Sequence, residues 1–152
     1  MNNELCDFCT FTETRHGVSF GEQKFSCISL RKCVARLIAN LKQATLKDDD
    51  IIINDLPDEM FVSTHKETLT EILCCLLNTI AVNGHKHVIH ISAKMIGNIT
   101  LMHFRNSHSE YSDRIADSLQ KIEPLAERLG GCVTISNNKM YGLNLTFTFI
   151  NH

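Results

Sequence analysis

The chain has 152 residues, of which 43% are apolar and 21% charged, and this composition fits one folded domain and excludes a globally disordered protein. Its formal charge of −2 comes from interspersed acidic and basic residues, so it lacks the basic stripe of a dedicated nucleic-acid-binding protein. Because the start is neither basic nor apolar and the longest apolar run covers only residues 72–77, neither a signal peptide nor a membrane span is predicted, and we expect a cytoplasmic protein.

The cysteines are numerous, at seven in the chain, and an odd number without a secretion signal predicts free thiols rather than disulfides. Cys6 and Cys9 have the spacing of one half of a zinc knuckle, but a structural zinc site needs a second such pair, which the sequence lacks. No metal site is therefore predicted. Three other cysteines fall inside predicted amphipathic elements, where a reduced thiol behaves as a small apolar side chain: Cys33, Cys74 and Cys132.

The first third of the chain predicts a lead-in followed by a strand, a helix and two further strands. Residues 1–22 are polar and show no sustained period, so they predict a loosely ordered lead-in to a domain over residues 23–152. A strand over 24–28 precedes Ser29, which can cap a helix. The apolar positions of that helix recur at helical spacing: Leu30, Val34, Leu37, Ile38 and Leu41. The next elements are a turn and two short strands: residues 47–50, 51–53 and 60–62.

A second helix is predicted from about residue 65 to residue 83. Thr64 and Glu67 have the spacing of a capping box, in which the hydroxyl and the carboxylate each bind an unpaired backbone N–H at the helix start. Asn83 and Gly84 provide the stop. The apolar side chains form one stripe along this helix: Leu69, Ile72, Leu73, Leu76, Leu77 and Ile80.

The second half of the chain predicts a hairpin, a third helix and a closing pair of strands. In the first hairpin strand, residues 89, 91, 93 and 95 are apolar and alternate with His90, Ser92 and Lys94, and Gly97 opens the turn into a strand over 99–104. The third helix begins at Ser112, contains Pro124, which predicts a kink or a locally broken hydrogen-bond ladder, and ends at the pair of glycines 130–131. The buried positions of this helix are predicted to be Ile115, Leu119, Ile122, Ala126 and Leu129. A strand over 132–136, a turn at 137–138 and a last strand with alternating apolar residues complete the chain: Leu143, Leu145, Phe147 and Phe149.

These elements predict an α+β protein, a two-layer α/β sandwich in which three helices cover one face of a mostly antiparallel sheet of five or more strands. Two segments carry a more specific likeness: residues 71–83, EILCCLLNTIAVN, and residues 125–136, LAERLGGCVTIS. With them, the chain from about residue 25 to residue 150 resembles the ATP-binding domain of histidine kinases, a superfamily shared with DNA gyrase, the ninety-kilodalton heat-shock chaperones, MutL and anti-sigma kinases. The resemblance implies the same histidine-kinase ATPase-like fold.

The resemblance also implies where nucleotide-binding residues would lie. In the family, an asparagine one helical turn after an acid holds Mg²⁺ against the triphosphate, and this column reads Glu71, Cys75, Thr79 here. Because Mg²⁺ demands oxygen ligands, a thiol is a poor replacement. Asn106 stands where the family has an adenine-binding aspartate, and its amide oxygen can accept the same hydrogen bond.

The remaining parts of the family's site are altered as well. His108 and Glu110 occupy the positions of loop glycines, which permit close backbone approach. The segment before the helix at Ser112 has about seven residues and no glycine, which is too short for a phosphate-covering lid. Since all these parts are altered together, the resemblance implies a degenerate member of the superfamily without a nucleotide cofactor.

The function expected from this pattern is a non-catalytic signalling module that binds a protein partner. By resemblance, the partner is a response regulator, a kinase or a sigma-like factor, with self-association into a homodimer as a further option. One alternative is a divergent ATP-binding protein that uses Asn106 for adenine and Glu71 as the acid, and another is a fragment of a longer sensor kinase.

The missing lid predicts where a partner would bind. The surface that it would cover is the flank formed by Cys75, Thr79 and Val82, beside Tyr111. Monomers seldom leave a contiguous apolar patch uncovered unless something binds there. The alternative is that Tyr111 and its neighbours fold inward and fill the space.

Overall fold

The computed structural model describes residues 24–44, 46–81, 88–107, 112–138 and 142–152. Seven strands lie in this part of the chain: β1 Ser26–Ser29, β2 Ile51–Asn54, β3 Phe61–Thr64, β4 Val88–Ile96, β5 Ile99–Asn106, β6 Cys132–Asn138 and β7 Gly142–Ile150. The helices of the same residues are α1 Leu30–Ala44, α2 Lys66–Ala81 and α3 Asp113–Arg128. The predicted lead-in over residues 1–22 lies outside the described residues.

The strands form one large sheet and one small sheet. The large sheet has five strands in the order β2-β4-β5-β7-β6, and β1 pairs with β3 in a separate two-stranded sheet. Among the described strand pairs, β2 and β4 are parallel and all the others are antiparallel. The three helices pack against one face of the large sheet, so the predicted α+β architecture with its mostly antiparallel sheet is confirmed.

The core lies between the helices and the inner face of the large sheet. The predicted stripe of α2 is buried along its whole length, from Leu69 to Ile80, and the predicted inner face of β7 is buried from Leu143 to Phe149. The predicted apolar positions of α1 and α3 are buried as well. Periods of 3.6 and 2 residues therefore predicted correctly which faces of these elements are covered.

Helix α3 ends as its two glycines predict. The Gly130 N–H donates to the carbonyl of Glu127 and the Gly131 N–H to the carbonyl of Ala126, both over 2.9 Å, which together form a Schellman motif. Gly130 has a φ of +71°, a backbone conformation that glycine adopts without a Cβ penalty. The helix continues through Pro124 as one element, so the proline does not divide it.

Three predictions about the strands are wrong. The turn predicted at residues 137–138 is strand, because Asn137 pairs with Leu143 and Asn138 with Gly142. Met95 was expected in the core but is 37% exposed, since it lies beside the hairpin turn and its sulfur contacts the Asn151 amide at 4.0 Å. Cys132, expected to be buried, is exposed.

The capping box predicted at Thr64 is also wrong. Thr64 is the last residue of β3, and the carbonyl that accepts the first hydrogen bond of α2, from the Leu69 N–H at 2.9 Å, belongs to His65. The Thr64 side chain is buried, and its hydroxyl has no hydrogen-bond partner in the described part of the chain. The strand pairing with β1 places this side chain in the core, where it cannot reach the helix start.

Replacing Thr64 by valine is therefore expected to stabilise the protein by about 1 kcal/mol, because it removes a buried hydroxyl whose desolvation is not repaid. Valine also suits a strand. The free energy of unfolding from urea titrations is the measurement. Thr64→Ser serves as the control, since it keeps the hydroxyl, loses a buried methyl group and is expected to destabilise. Destabilisation by valine would mean that the hydroxyl has a bonding partner.

The last two residues connect the two sheets. The Asn151 N–H donates to the carbonyl of Asn98 at 2.7 Å, its side-chain oxygen accepts the Ser63 N–H at 2.6 Å, and the His152 N–H donates to the Ser63 carbonyl at 2.9 Å. Ser63 belongs to β3 and Asn98 to the β4–β5 turn. The chain after β7 thus fixes the small sheet against the hairpin end of the large sheet.

Candidate functional site

The column predicted for Mg²⁺ lies on α2. Glu71, Cys75 and Thr79 are spaced by four residues and so share one face of the helix, and Glu71 and Cys75 are partly exposed. Thr79 is only 7% exposed, and its hydroxyl donates to the Cys75 carbonyl at 2.7 Å. This bond within the helix satisfies the hydroxyl, so the column offers a thiol and an internally bonded hydroxyl where the superfamily has amide oxygens.

Asn78 lies beside this column, about 100° around the helix from Thr79. Its amide oxygen is buried and has no hydrogen-bond partner among the described residues. Sequence reasoning assigned Asn78 no role, and nothing in the local pattern marks it, because its burial depends on the packing around α2. Within the described ranges, it is the one buried side-chain oxygen of α2 that has no hydrogen-bond partner.

Asn106 is the last residue of β5 and is fully buried. Its amide nitrogen donates to the carbonyl of Ile80 at 2.8 Å. Because α2 ends at Ala81, the Ile80 carbonyl is one of the final carbonyls that lack a partner within the helix. Asn106 therefore closes the end of α2 against β5, a structural role that the sequence comparison did not foresee.

The structure brings only part of the predicted site together. Through its bond to Ile80, Asn106 lies next to Thr79 at the end of the column, whereas Glu71 is about 12 Å further along the helix at 1.5 Å per residue. Gly142 fixes this corner, because a Cβ at that position would overlap the Asn106 carbonyl oxygen and lie 2.7 Å from the Cα of Ser107. Val82, Tyr111, His108 and Glu110 lie outside the described residues.

Similarity to solved structures is clear, although no family model and no curated protein matches the sequence. The Acinetobacter baumannii histidine kinase AdeS superposes with a TM-score of 0.75 at 12% identity, over 98% of this chain and 76% of that chain. The nucleotide-free catalytic domain of histidine kinase ThkA gives 0.66 at 13% identity, over 84% of this chain and 96% of that one.

This chain has the histidine-kinase ATPase fold.

A third structure, ThkA in complex with the response regulator TrrA, gives a TM-score of 0.67 at 15% identity and covers 99% of this chain but 49% of that one. The chain thus spans about half of that kinase. Identities this low support the fold and carry no activity with them. The fold expected from residues 71–83 and 125–136 is nevertheless confirmed.

Two α2 side chains at the nucleotide position of a histidine-kinase ATPase fold are poor ligands for Mg²⁺. Mg²⁺ requires a near-octahedral set of oxygen ligands, and Cys75 presents sulfur while the Thr79 hydroxyl donates back into its own helix. The Asn106 amide already binds the α2 end. Residues 107–112 read SHSEYS and contain no glycine, the residue type that permits the closest backbone approach.

Metal and thiol chemistry is limited within the described residues. In these ranges no group of three or more His, Cys, Asp or Glu side chains could hold a metal ion. The described cysteines are free thiols. Burial raises the pKa of the Cys33 thiol, an effect that its contact with the Thr70 hydroxyl at 4.0 Å partly offsets, so this thiol is a weak nucleophile at neutral pH. Cys6 and Cys9 lie outside the described residues.

In the described part of the chain, no helix is both long enough and apolar enough to cross a bilayer.

His90, whose strand position predicted a solvent-facing side chain, is partly exposed on β4. Its imidazole lies 3.5 Å from the Asp55 carboxylate.

Proposed function

We propose that this chain is a non-catalytic signalling module, a histidine-kinase ATPase fold that binds a protein partner instead of turning over nucleotide. The observation that carries the proposal is the α2 column, in which Cys75 and an internally bonded Thr79 replace the oxygen ligands of Mg²⁺. Without a metal ion, a triphosphate would bring several negative charges to this corner with little to neutralise them. The segment 107–112, which lacks glycine, also supports this reading.

The partner that we propose first is a response regulator, because ThkA, which shares the fold, has been solved in complex with one. A kinase or a sigma-like factor is the next candidate, and homodimerisation is a further one. We place the module in the cytoplasm, where such partners act.

The partner-binding flank that we propose includes Cys75, Val82 and Tyr111. Thr79 contributes little surface to it, since that side chain is buried. The half-buried Cys75 thiol marks the described part of this flank.

A nucleotide titration tests the loss of ATP chemistry. With about 1 mM Mg·ATP or Mg·ADP, we expect no rise in melting temperature, because stabilisation follows RT ln(1 + [L]/Kd) and vanishes when Kd is far above the ligand concentration. Differential scanning fluorimetry is the measurement, with magnesium tripolyphosphate as the control for ionic effects. A rise with ATP that tripolyphosphate does not reproduce would overturn the pseudo-ATPase proposal.

The alternative is a divergent ATP-binding protein that uses Asn106 for adenine and Glu71 as the acid. One observation favours it: the buried Asn78 oxygen lacks a hydrogen-bond partner among the described residues, and a ligand at this corner could supply a donor. An ATP-specific rise in melting temperature that disappears in Glu71→Ala would establish this alternative.

A further inference from the structure

The face of the large sheet that points away from the helices, which we call the open sheet face, consists of the odd-numbered residues of β2 and β5 and the even-numbered residues of β4, β6 and β7. The pairing register places these residues in common rows, such as Ile53, His90, Arg105, Asn144 and Ser136 across all the strands. Their neighbours in sequence, such as Ile91 and Phe104, are buried beneath the helices. In the structure as described, no element covers the open sheet face.

Aliphatic side chains are unusually frequent on the open sheet face. The solvent face of an antiparallel sheet is normally polar, yet Ile96, Ile99 and Ile150 form one row in register across β4, β5 and β7. In that row, Ile96 is 58% and Ile99 is 43% exposed. At the opposite end of the face, Ile51 and Ile53 on β2 are 55% and 45% exposed. The row of three isoleucines is a local apolar patch, and such patches mark candidate interaction surfaces.

The charges on the open sheet face all have one sign. The strands of the large sheet contain no aspartate or glutamate, whereas Lys94 lies on β4 and Arg105 on β5. Between them, His103 has a ring nitrogen 3.3 Å from the Thr146 hydroxyl, and burial, Lys94 and Arg105 together lower the pKa of this histidine. Lys94 and Arg105 thus both lie close enough to His103 to oppose its protonation.

The acidic groups near this face leave its centre unpaired. Asp55, at the end of β2, lies 3.5 Å from the His90 imidazole at the edge of the sheet. Arg105 binds a neutral partner, donating from Nε to the Asn144 amide oxygen at 3.1 Å. No described carboxylate makes an ion pair with Lys94 or Arg105. The middle of the face therefore presents two permanent positive charges between two aliphatic edges.

We infer that the open sheet face binds an acidic protein segment whose carboxylates meet Lys94 and Arg105 and whose aliphatic side chains cover the isoleucines. Charge complementarity selects this occupant. A second copy docked by two-fold symmetry would bring the two cations of each copy near those of the other, which is unfavourable. No Phe, Tyr or Trp side chain lies on the described strands of this face to stack on nucleic-acid bases. It lies on the opposite side of the sheet from α2, so this inference does not rest on the loss of nucleotide binding.

Binding of a short fluorescein-labelled peptide, in which each leucine is followed by two glutamates, tests the inference by fluorescence anisotropy. We expect measurable binding that weakens as the salt concentration rises. The double variant Lys94→Glu/Arg105→Glu is expected to lose at least about tenfold in affinity, because it places like charges opposite the peptide. The variant Ile96→Ser/Ile99→Ser should also weaken binding, with less change in its salt dependence.

The matched control is Lys32→Glu/Arg36→Glu, which makes the same change in net charge on the exposed side of α1, away from the open sheet face. Its affinity for the peptide should stay within about twofold of the wild type, since distant surface charges are screened. Circular dichroism and melting temperatures confirm that each variant is folded. An equal loss in the α1 control would reduce the effect to net charge and overturn the inference.

Other occupants of the open sheet face give distinct results. The inference fails if the peptide does not bind at about millimolar concentration, or if a peptide with lysine in place of glutamate binds equally well. It also fails if a thymidine oligonucleotide or phosphatidylserine vesicles bind more tightly than the acidic peptide. Sedimentation that shows a dimer in the wild type and a monomer in Ile96→Ser/Ile99→Ser would assign the face to a second copy instead.

Discussion

Replacing Gly131 by alanine is expected to lower the free energy of unfolding by more than about 3 kcal/mol, which is at the upper end of the cost of overpacking and enough to unfold a marginally stable domain. An alanine Cβ would overlap the carbonyl oxygen of Thr148 and would lie 2.5 Å from its carbonyl carbon and 2.9 Å from the Cα of Phe149. These are backbone atoms of β7, so no side-chain rotation relieves the overlap. Circular dichroism and urea titration measure the effect.

Gly97→Ala is the matched control for this prediction. Gly97 has a φ of +61°, but a Cβ there would meet nothing within 4 Å, so its replacement costs only the backbone strain of a left-handed residue, about 1 kcal/mol. If the two alanine substitutions destabilise the protein equally, a steric clash between residue 131 and the β7 backbone does not explain the cost at Gly131. The comparison separates steric contact from backbone conformation at two glycines that flank strands of the large sheet.

Truncating Leu73 or Leu76 to alanine is expected to cost about 2–5 kcal/mol for each substitution. Both side chains are fully buried in the core between α2 and the sheet. The cost combines lost burial with the cavity that remains, because a packed interior relaxes only partly. Urea unfolding at constant m value would report the change in stability.

Lys66→Ala serves as the control on the same helix. Lys66 is exposed in the first turn of α2, so its truncation should change stability by less than about 0.5 kcal/mol. Small and equal effects at all three positions would show that α2 does not form the centre of the core. That result would contradict the histidine-kinase ATPase fold of the chain.

The parts of the fold that sequence predicted correctly are those in which burial imposes a period. The stripe of α2 and the alternation of β7 reflect one covered face on each element, and this covering is a property of consecutive residues. The likeness of residues 125–136 to the histidine-kinase family was also informative, because the two glycines have physical roles. Gly130 adopts a positive φ, and Gly131 leaves room for the β7 backbone.

Sequence reasoning failed where distant residues decide the structure. Thr64 has the local pattern of a cap, but pairing with β1 draws it into a strand. Asn137 and Asn138 have the composition of a turn, but pairing with β7 extends β6 through them. Local propensity is a weak guide when a neighbouring strand can satisfy the backbone instead.

The candidate site could be located but not interpreted from sequence alone. The positions of Glu71, Cys75 and Thr79 on one helical face follow from their spacing, whereas the bond from Asn106 to Ile80 joins residues 26 positions apart and required the fold. The open sheet face became visible only with the strand order, because its isoleucines come from β2, β4, β5 and β7, which are not all consecutive in the chain.

Strand β7 is the last element of the described chain, yet it lies between β5 and β6 in the large sheet. A polypeptide that emerges from the ribosome with its N-terminus first therefore leaves β5 with a bare edge, and β6 without a neighbour, until residue 150 has appeared. Met102 and Phe104, which are buried in the finished protein, lack their β7 partners in every shorter nascent chain. Completion of the large sheet must consequently wait for synthesis of β7, and until then chaperones can bind its apolar strands.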